Sequence, residues 1–236
     1  MLVLAFDTAT PQVAVSLVDL GETVQAEQAV LAEQAVLAEQ ARRDARRHGE
    51  LLAPMIAAVL GSAGLDRRQL RAVAVGLGPG PFTGLRVGLM TAAALADALG
   101  IPAYGVCSLD AVGRPSGAAG EPVHVLTDAR RREVYWASYL PDGTRCAGPA
   151  VDRPAELAAR LPAGSLLTGA GAVLYADQLA GHRVDVPGGG FPSPAALVAL
   201  VADRARAGAP SEALHPLYLR RPDAVEPVRL RTASAP

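Results

Sequence analysis

The sequence predicts an α/β protein of two related lobes with a cleft between them. Three observations carry that prediction. An apolar strand that ends in Asp and turns into a second strand occurs twice: Asp7 has Val13 and Val15 six and eight residues on, and Asp128 has Val134 and Trp136 at the same offsets. A strand, a Gly-x-Gly turn and a helix also occur twice, around Gly76-Leu77-Gly78 and Gly169-Ala170-Gly171. The 236 residues, half of them hydrophobic, are enough for two small cores. Clefts between such lobes are the default place for a ligand. The boundaries expected are an N-terminal lobe over 1–112, a smaller C-terminal lobe over 113–221 and a mobile tail over 222–236.

In chain order, Leu2 to Phe6 reads as a buried strand, Asp7 to Pro11 as a turn and Val13 to Val18 as its hairpin partner. Asp7-Thr8 favours an Asx or ST turn over a phosphate- or metal-facing strand end. Residues 26–40 repeat Ala-Glu-Gln-Ala-Val-Leu in tandem, a six-residue period that fits neither a heptad nor a solenoid unit. These residues are helix formers, so the repeat is expected as a lengthened connection or an extended helix. The basic run Arg42 to His48 reads as a solvated surface segment. Glu50 to Leu60 is a predicted helix, with Pro54 in its first turn.

Residues 73–88 combine a buried strand, a Gly/Pro loop and a helix start, and the helix runs on to about Leu99. Thr83 is the expected N-cap and Gly100 the left-handed stop. The loop lacks the Lys-Ser/Thr of a P-loop. On the helix, Leu85, Leu89, Ala92, Leu95, Ala96 and Leu99 form one apolar face, and Val87, Met90, Ala94 and Ala98 form a second. One sheet covers one face, so a second lobe or another chain must cover the other.

Further on, Ile101 to Val106 reads as a strand, Ser108 as the cap of a short helix to Val112, and 113–121 as a loop. Strands are expected at His124–Thr127, Glu133–Tyr139 and Ser165–Thr168, with a turn at Asp142-Gly143. Helices are expected at Asp152–Leu161, Val173–Leu179 and Pro194–Arg206.

The net charge of −1 gives no global case for nucleic acid or an acidic membrane. All 22 basic residues are Arg, which beside so much Ala reflects a GC-rich genome rather than Arg-specific chemistry. Cys107 and Cys146 form no metal or redox spacing. No basic-flanked apolar leader and no apolar run of about 18 residues is present, so a cytoplasmic protein without a membrane span is expected. The four histidines, His48, His124, His182 and His215, are far apart, and no nucleophile–base motif is visible.

The stretch Val75-Gly-Leu-Gly-Pro-Gly-Pro-Phe-Thr-Gly-Leu-Arg-Val-Gly88 resembles the signature of the TsaB family, the dimerisation subunit of bacterial tRNA N6-threonylcarbamoyladenosine synthesis. Ser is usual in that family where this chain has Pro81. Phe6 to Thr10, His48 to Pro54, Asp128 to Tyr135 and Pro216 to Arg220 are similar to further family stretches. The resemblance implies a two-lobe actin-like ATPase-domain fold with a shortened second lobe. It implies partners too: a catalytic TsaD-like subunit, a small TsaE-like ATPase, and tRNA met only through the complex, where threonylcarbamoyl-adenylate supplies the group for adenosine 37. The catalytic relative holds a metal with a His-x-x-x-His pair that this chain lacks, so a scaffold without intrinsic catalysis is expected. Partner-contact candidates are Leu52, Ile56, Leu85, Arg86, Leu89 and Met90, and a homodimer is expected when the partner is absent. The alternative is an actin-like nucleotide-binding ATPase or kinase, with Asp7, Thr8, Gly78, Gly80 and Asp128 at the cleft. No intrinsic cofactor is expected; ATP or ADP with Mg belongs to the complex.

Overall fold

The computed structural model describes residues 1–26, 29–117 and 120–220. The first half runs β1 (Leu2–Asp7), β2 (Gln12–Ala26), β3 (Ala29–Arg43), α1 (His48–Ser62), β4 (Leu70–Gly76), α2 (Phe82–Leu99), β5 (Ala103–Val106) and α3 (Asp110–Gly117). The second runs β6 (Val123–Asp128), β7 (Val134–Tyr139), β8 (Arg145–Asp152), α4 (Pro154–Ala158), β9 (Leu166–Thr168), α5 (Ala170–Leu174), β10 (Arg183–Val184) and α6 (Pro194–Arg206).

The duplicated plan is real at the level of topology. One sheet has the order β3-β2-β1-β4-β5 and the other β8-β7-β6-β9-β10, each strand standing where its counterpart does. β1 and β6 each pair antiparallel with the next strand and parallel with the strand after the intervening helix. This is the two-lobe, actin-like α/β fold the resemblance implies.

The helices bind the halves together. In β1, Leu4 and Phe6 face α1 and α2, whereas Val3 and Ala5 face α6, because side chains alternate along a strand. α6, the last helix of the second half, thus covers the first sheet through Leu197, Val198 and Val201. Reciprocally, α3, the last helix of the first half, packs Val112 with the second sheet's Val123, Val125 and Tyr139. Leu157 of α4 and Ala172 of α5 close that sheet's other face. Both central strands are packed on both sides, and β1 reads as a continuous apolar run up to Asp7 for that reason, whereas β6 carries His124 and Thr127.

Several local expectations fail for identifiable reasons. The tandem repeat is neither helix nor loop: it forms β3 and lengthens the β2–β3 hairpin beyond Val18 to Ala26. Pairing with β2 along residues 13–20 overrides the helix propensity of the repeat. Thr83 does not cap α2; Pro81 holds that position without a side-chain bond, whereas Gly100 is left-handed at φ 63° as expected. Pro54 lies in the interior of α1, because the helix begins at His48. Ser108 caps no helix; it points at Asp7. Residues 113–117 continue α3, and 145–151, read as no element, form β8 together with Asp152. Helix 152–161 shrinks to α4, and 173–179 divides into α5 and a 3-10 turn at Ala176–Leu179. α2 also has the length and apolarity to cross a bilayer, although no unbroken apolar run announces it. Its Leu85, Leu89, Ala92 and Ala96 face is nevertheless packed into the lobe core. The expected tail lies outside the described residues.

Candidate functional site

Two strand ends place the paired aspartates. Asp7 Oδ1 accepts from the Ala9 amide at 2.8 Å, and Asp128 Oδ1 accepts from the Arg130 amide at 2.9 Å. Both are the same Asx turn, the local reading of Asp7. Their surroundings differ. Asp7 is buried, and its Oδ2 accepts from Ser108 Oγ at 2.5 Å. Burial raises its pKa, while the hydrogen bonds from Ser108 and Ala9 and the nearby His48 pull it partly back down.

The Gly/Pro loop makes that seal. A Cβ on Gly76 would stand 1.8 Å from Asp7 Oδ2, and one on Gly80 2.1 Å from the Ala9 carbonyl. Gly78 donates its amide to Ser108 Oγ at 3.2 Å. Thr8 is buried and donates to the Gly84 carbonyl at 2.8 Å. The loop's short residues serve close backbone approach to Asp7, Thr8 and Ala9.

Asp128 opens instead onto a cleft of about 540 Å³ between the lobes. Thr10 and Arg43 line it from the first lobe, and Val173, Leu174 and Phe191 from the second. The Tyr175 hydroxyl donates to Asp128 Oδ1 at 3.1 Å, and Arg43 stacks 4.5 Å over the Phe191 ring. Of the five cleft candidates, the structure brings only Asp128 to this cleft; Asp7, Thr8, Gly78 and Gly80 are not among the residues that line it. Asp128 thus presents an open carboxylate to this cleft, whereas the Asp7 carboxylate is enclosed. Thr10, Arg43 and Phe191 were missed by sequence reasoning. Arg43 lay in the basic run read as surface, and nothing local tied it to Phe191.

The partner-contact candidates divide as well. Leu52, Ile56, Leu85 and Leu89 are core residues of this chain. Only Arg86 and Met90 lie on the exposed face of α2, and Met90 is 66% exposed. Ala93, Ala94 and Ala98 share that exposed surface. Arg86 does not reach Asp97; it stacks 3.8 Å over Phe82 and donates toward the Tyr218 hydroxyl at 3.4 Å. His48 Nε2 lies 2.8 Å from the Thr10 carbonyl, and His124 Nδ1 2.7 Å from Ser138 Oγ. Among the described residues no three His, Cys, Asp or Glu side chains gather as metal ligands.

Paired sheets of one strand order, with exchanged end helices and a cleft between them, define a two-lobe actin-like protein. The family model of TsaD, tRNA N6-adenosine threonylcarbamoyltransferase, matches residues 35–224. An uncharacterised Mycobacterium tuberculosis protein is 49% identical over 228 residues, covering 94% of this chain and 93% of that one. The Escherichia coli tRNA threonylcarbamoyladenosine biosynthesis protein TsaB is 34% identical over 144 residues, 60% of this chain and 56% of that one. The structure of YeaZ from Pseudomonas aeruginosa superimposes with a TM-score of 0.71 at 29% identity, covering 92% of this chain and 99% of that one. The chain belongs to the TsaD family and, within it, is a TsaB-family protein.

Proposed function

We propose that this chain is a non-catalytic scaffold that pairs with a catalytic TsaD-like subunit and activates it in threonylcarbamoylation of tRNA adenosine 37. Family membership supports the pathway, since the Escherichia coli relative carries tRNA threonylcarbamoyladenosine biosynthesis in its name. The observation that carries the scaffold reading is the outward face of α2. Met90, Ala93 and Asp97 border a groove of about 1000 Å³ that continues to Ile101 and Leu214. An apolar helical face left in water forgoes about 25 cal/mol for each Å² it could bury. Contiguous apolar surface of this kind marks interaction sites. A homologous subunit offers the matching element, a helix of the same kind. Without it, the same face pairs two copies of this chain about a two-fold axis. A TsaE-like ATPase, ATP or ADP with Mg, and tRNA join at the level of the complex, in the cytoplasm.

Co-expression with the cell's catalytic homologue, followed by sizing, tests this. The wild type is expected to co-elute as a heterodimer. Met90→Glu is expected to weaken the pair about 30-fold or more, as loss of a central contact does, with an unchanged Tm. Undiminished pairing by folded Met90→Glu overturns the role of α2. Leu89→Glu would be a poor probe, because that side chain is only 5% exposed within this chain's own core.

The cleft at Asp128 favours a second reading, a nucleotide-binding ATPase or kinase. Calorimetric titration with Mg-ATP and a hydrolysis assay separate the two. Tight binding with turnover by the isolated chain favours the second.

A further inference from the structure

We propose that the cleft between the lobes binds a zwitterion with an apolar side chain, its ammonium on Asp128 and its carboxylate on Arg43. A free apolar α-amino acid and a short apolar peptide share that chemistry. The site is separate from the α2 face that carries the scaffold reading, so either can fail without the other.

The first observation is an acceptor left open. Asp128 Oδ1 is taken twice, by the Arg130 amide at 2.9 Å and the Tyr175 hydroxyl at 3.1 Å. These two donors fix the carboxylate at the end of β6. Among the described residues no hydrogen bond reaches Oδ2, and Arg130 Nη1 stands 3.7 Å from it, beyond hydrogen-bonding distance. The Asp128 side chain is only 17% exposed, and it lines the cleft. An oriented carboxylate with spare acceptor capacity is what an ammonium requires.

The second observation is a cation without a carboxylate. Arg43 comes from the other lobe, at the end of β3, and its guanidinium lies 4.5 Å over the Phe191 ring. Among the described residues no Asp or Glu pairs with it. Stacking uses the flat face of a guanidinium. It leaves the N–H groups along the edge, and that edge grips a carboxylate in a fork.

The rest of the lining is largely apolar. α5 buries Gly171 and Ala172 and leaves Val173 and Leu174 59% and 58% exposed, and Val186 and Phe191 continue the surface. Neighbouring apolar side chains exposed in a concavity mark a ligand site. The volume of about 540 Å³ is that of a small-molecule cleft.

Together these features select the ligand. Among the described residues that line the cleft, Arg43 and Asp128 are the charged ones, so the formal charges cancel. A fatty acid or an alkylamine would satisfy one of them and desolvate the other unpaired, at a cost in affinity. A nucleotide would bring several negative charges to a cleft with one guanidinium. A zwitterion brings one charge of each sign, and its apolar body covers Val173 and Leu174.

Calorimetric titration of the full chain with L-leucine tests this. Saturable one-site binding is expected, with the negative heat-capacity change of apolar burial. L-Asparagine, of nearly the same shape but polar, is expected to bind about tenfold more weakly or worse. The same is expected of leucinamide and N-acetyl-leucine, which each lack one charge. Arg43→Gln is expected to weaken leucine about tenfold and leave leucinamide unchanged. Asp128→Asn is expected to weaken leucine about tenfold and leave N-acetyl-leucine unchanged. Both variants should stay folded, since Asn keeps an oxygen for the Asx turn and Arg43 is exposed. Tighter binding of Leu-Leu than of leucine supports the charge pairing and names a peptide as its source. No binding of either at millimolar concentration overturns the inference. So does equal affinity for leucine and leucinamide, or a folded Asp128→Asn that binds leucine as the wild type does. Mg-ATP binding that Asp128→Asn abolishes and leucine does not displace assigns the cleft to a nucleotide instead.

Discussion

The two lobes share a strand order and an Asx turn at the same strand end, yet they put the resulting carboxylate to opposite uses. In the first lobe β4 ends in Gly76, the Gly/Pro loop folds back over the turn, and Asp7 is enclosed. In the second lobe β9 is three residues long, α5 is five, and Asp128 faces the cleft. The first lobe also carries the 18-residue α2, whose outward face α5 could not match in length. A duplicated fold therefore does not carry a duplicated site. The longer lobe has turned its strand end into packing and its helix into surface, and the shorter lobe has left its strand end open.

The largest effect should come from breaking the seal. Gly76→Ala places a methyl 1.8 Å from Asp7 Oδ2 and 2.5 Å from Ser108 Oγ. Neither oxygen can retreat without giving up its partner, so a loss of about 3 kcal/mol or more is expected in urea unfolding. In the second lobe the last Gly of the matching turn, Gly171→Ala, meets the Leu126 main-chain carbonyl at 2.9 Å, a smaller overlap than at Gly76 but one the backbone must shift to relieve. About 1–2 kcal/mol is expected there. Equal losses at the two sites would show that the first lobe's loop is no more tightly set than the second's.

A smaller effect follows from the charge inside the seal. Burial, the largest cause, holds the Asp7 pKa above its ordinary 3.8. The native state thus keeps this proton to higher pH than the unfolded chain does. The stabilising contribution of protonated Asp7 is full below about 3.8 and fades as pH rises through the native value. Asp7→Asn cannot ionise. Its stability relative to wild type should rise with pH from about 4 upward, read as urea midpoints across pH 4 to 8. A difference that is flat with pH would mean that Asp7 is as well solvated as an open carboxylate.

How much of this could be read from the chain follows the range of the interactions. The strand–Asp–turn units were legible because an Asx turn is settled within three residues. α6 was legible from end to end because its apolar spacing and its N-terminal proline act locally. The sealing of Asp7 was not, since it depends on Ser108, 101 residues away. Leu52, Ile56, Leu85 and Leu89 were assigned to a partner because periodicity marks an apolar face without saying which neighbour covers it. β3 was missed because Ala, Glu, Gln and Leu favour helix alone, and pairing with β2 overrode that preference. The Phe82–Arg86–Tyr218 stack joins α2 to a residue more than 130 positions later, beyond any local pattern.

The smallest effect compares the thiols and reads the seam between the lobes. Cys146 is exposed, whereas Cys107 is 7% exposed and lies directly after β5, where the chain crosses to the second lobe. It packs with Leu109, Val112 and Val123, the contact by which α3 grips the second sheet. Burial, helped by nearby Asp110, pushes its thiol up to about 11. At pH 8 only about one Cys107 in a thousand is thiolate, and the thiolate is the form that reacts. A thiol reagent should therefore label Cys146 at once and Cys107 far more slowly. If Cys107 is reached by lifting α3 from the second sheet, its rate measures that opening rather than global unfolding. In low urea the Cys107 rate should rise before the first lobe's core unfolds. If both thiols react at one rate in the native protein, the exchanged helix does not hold the lobes together. If Cys107 opens only with global unfolding, the two lobes form one cooperative unit.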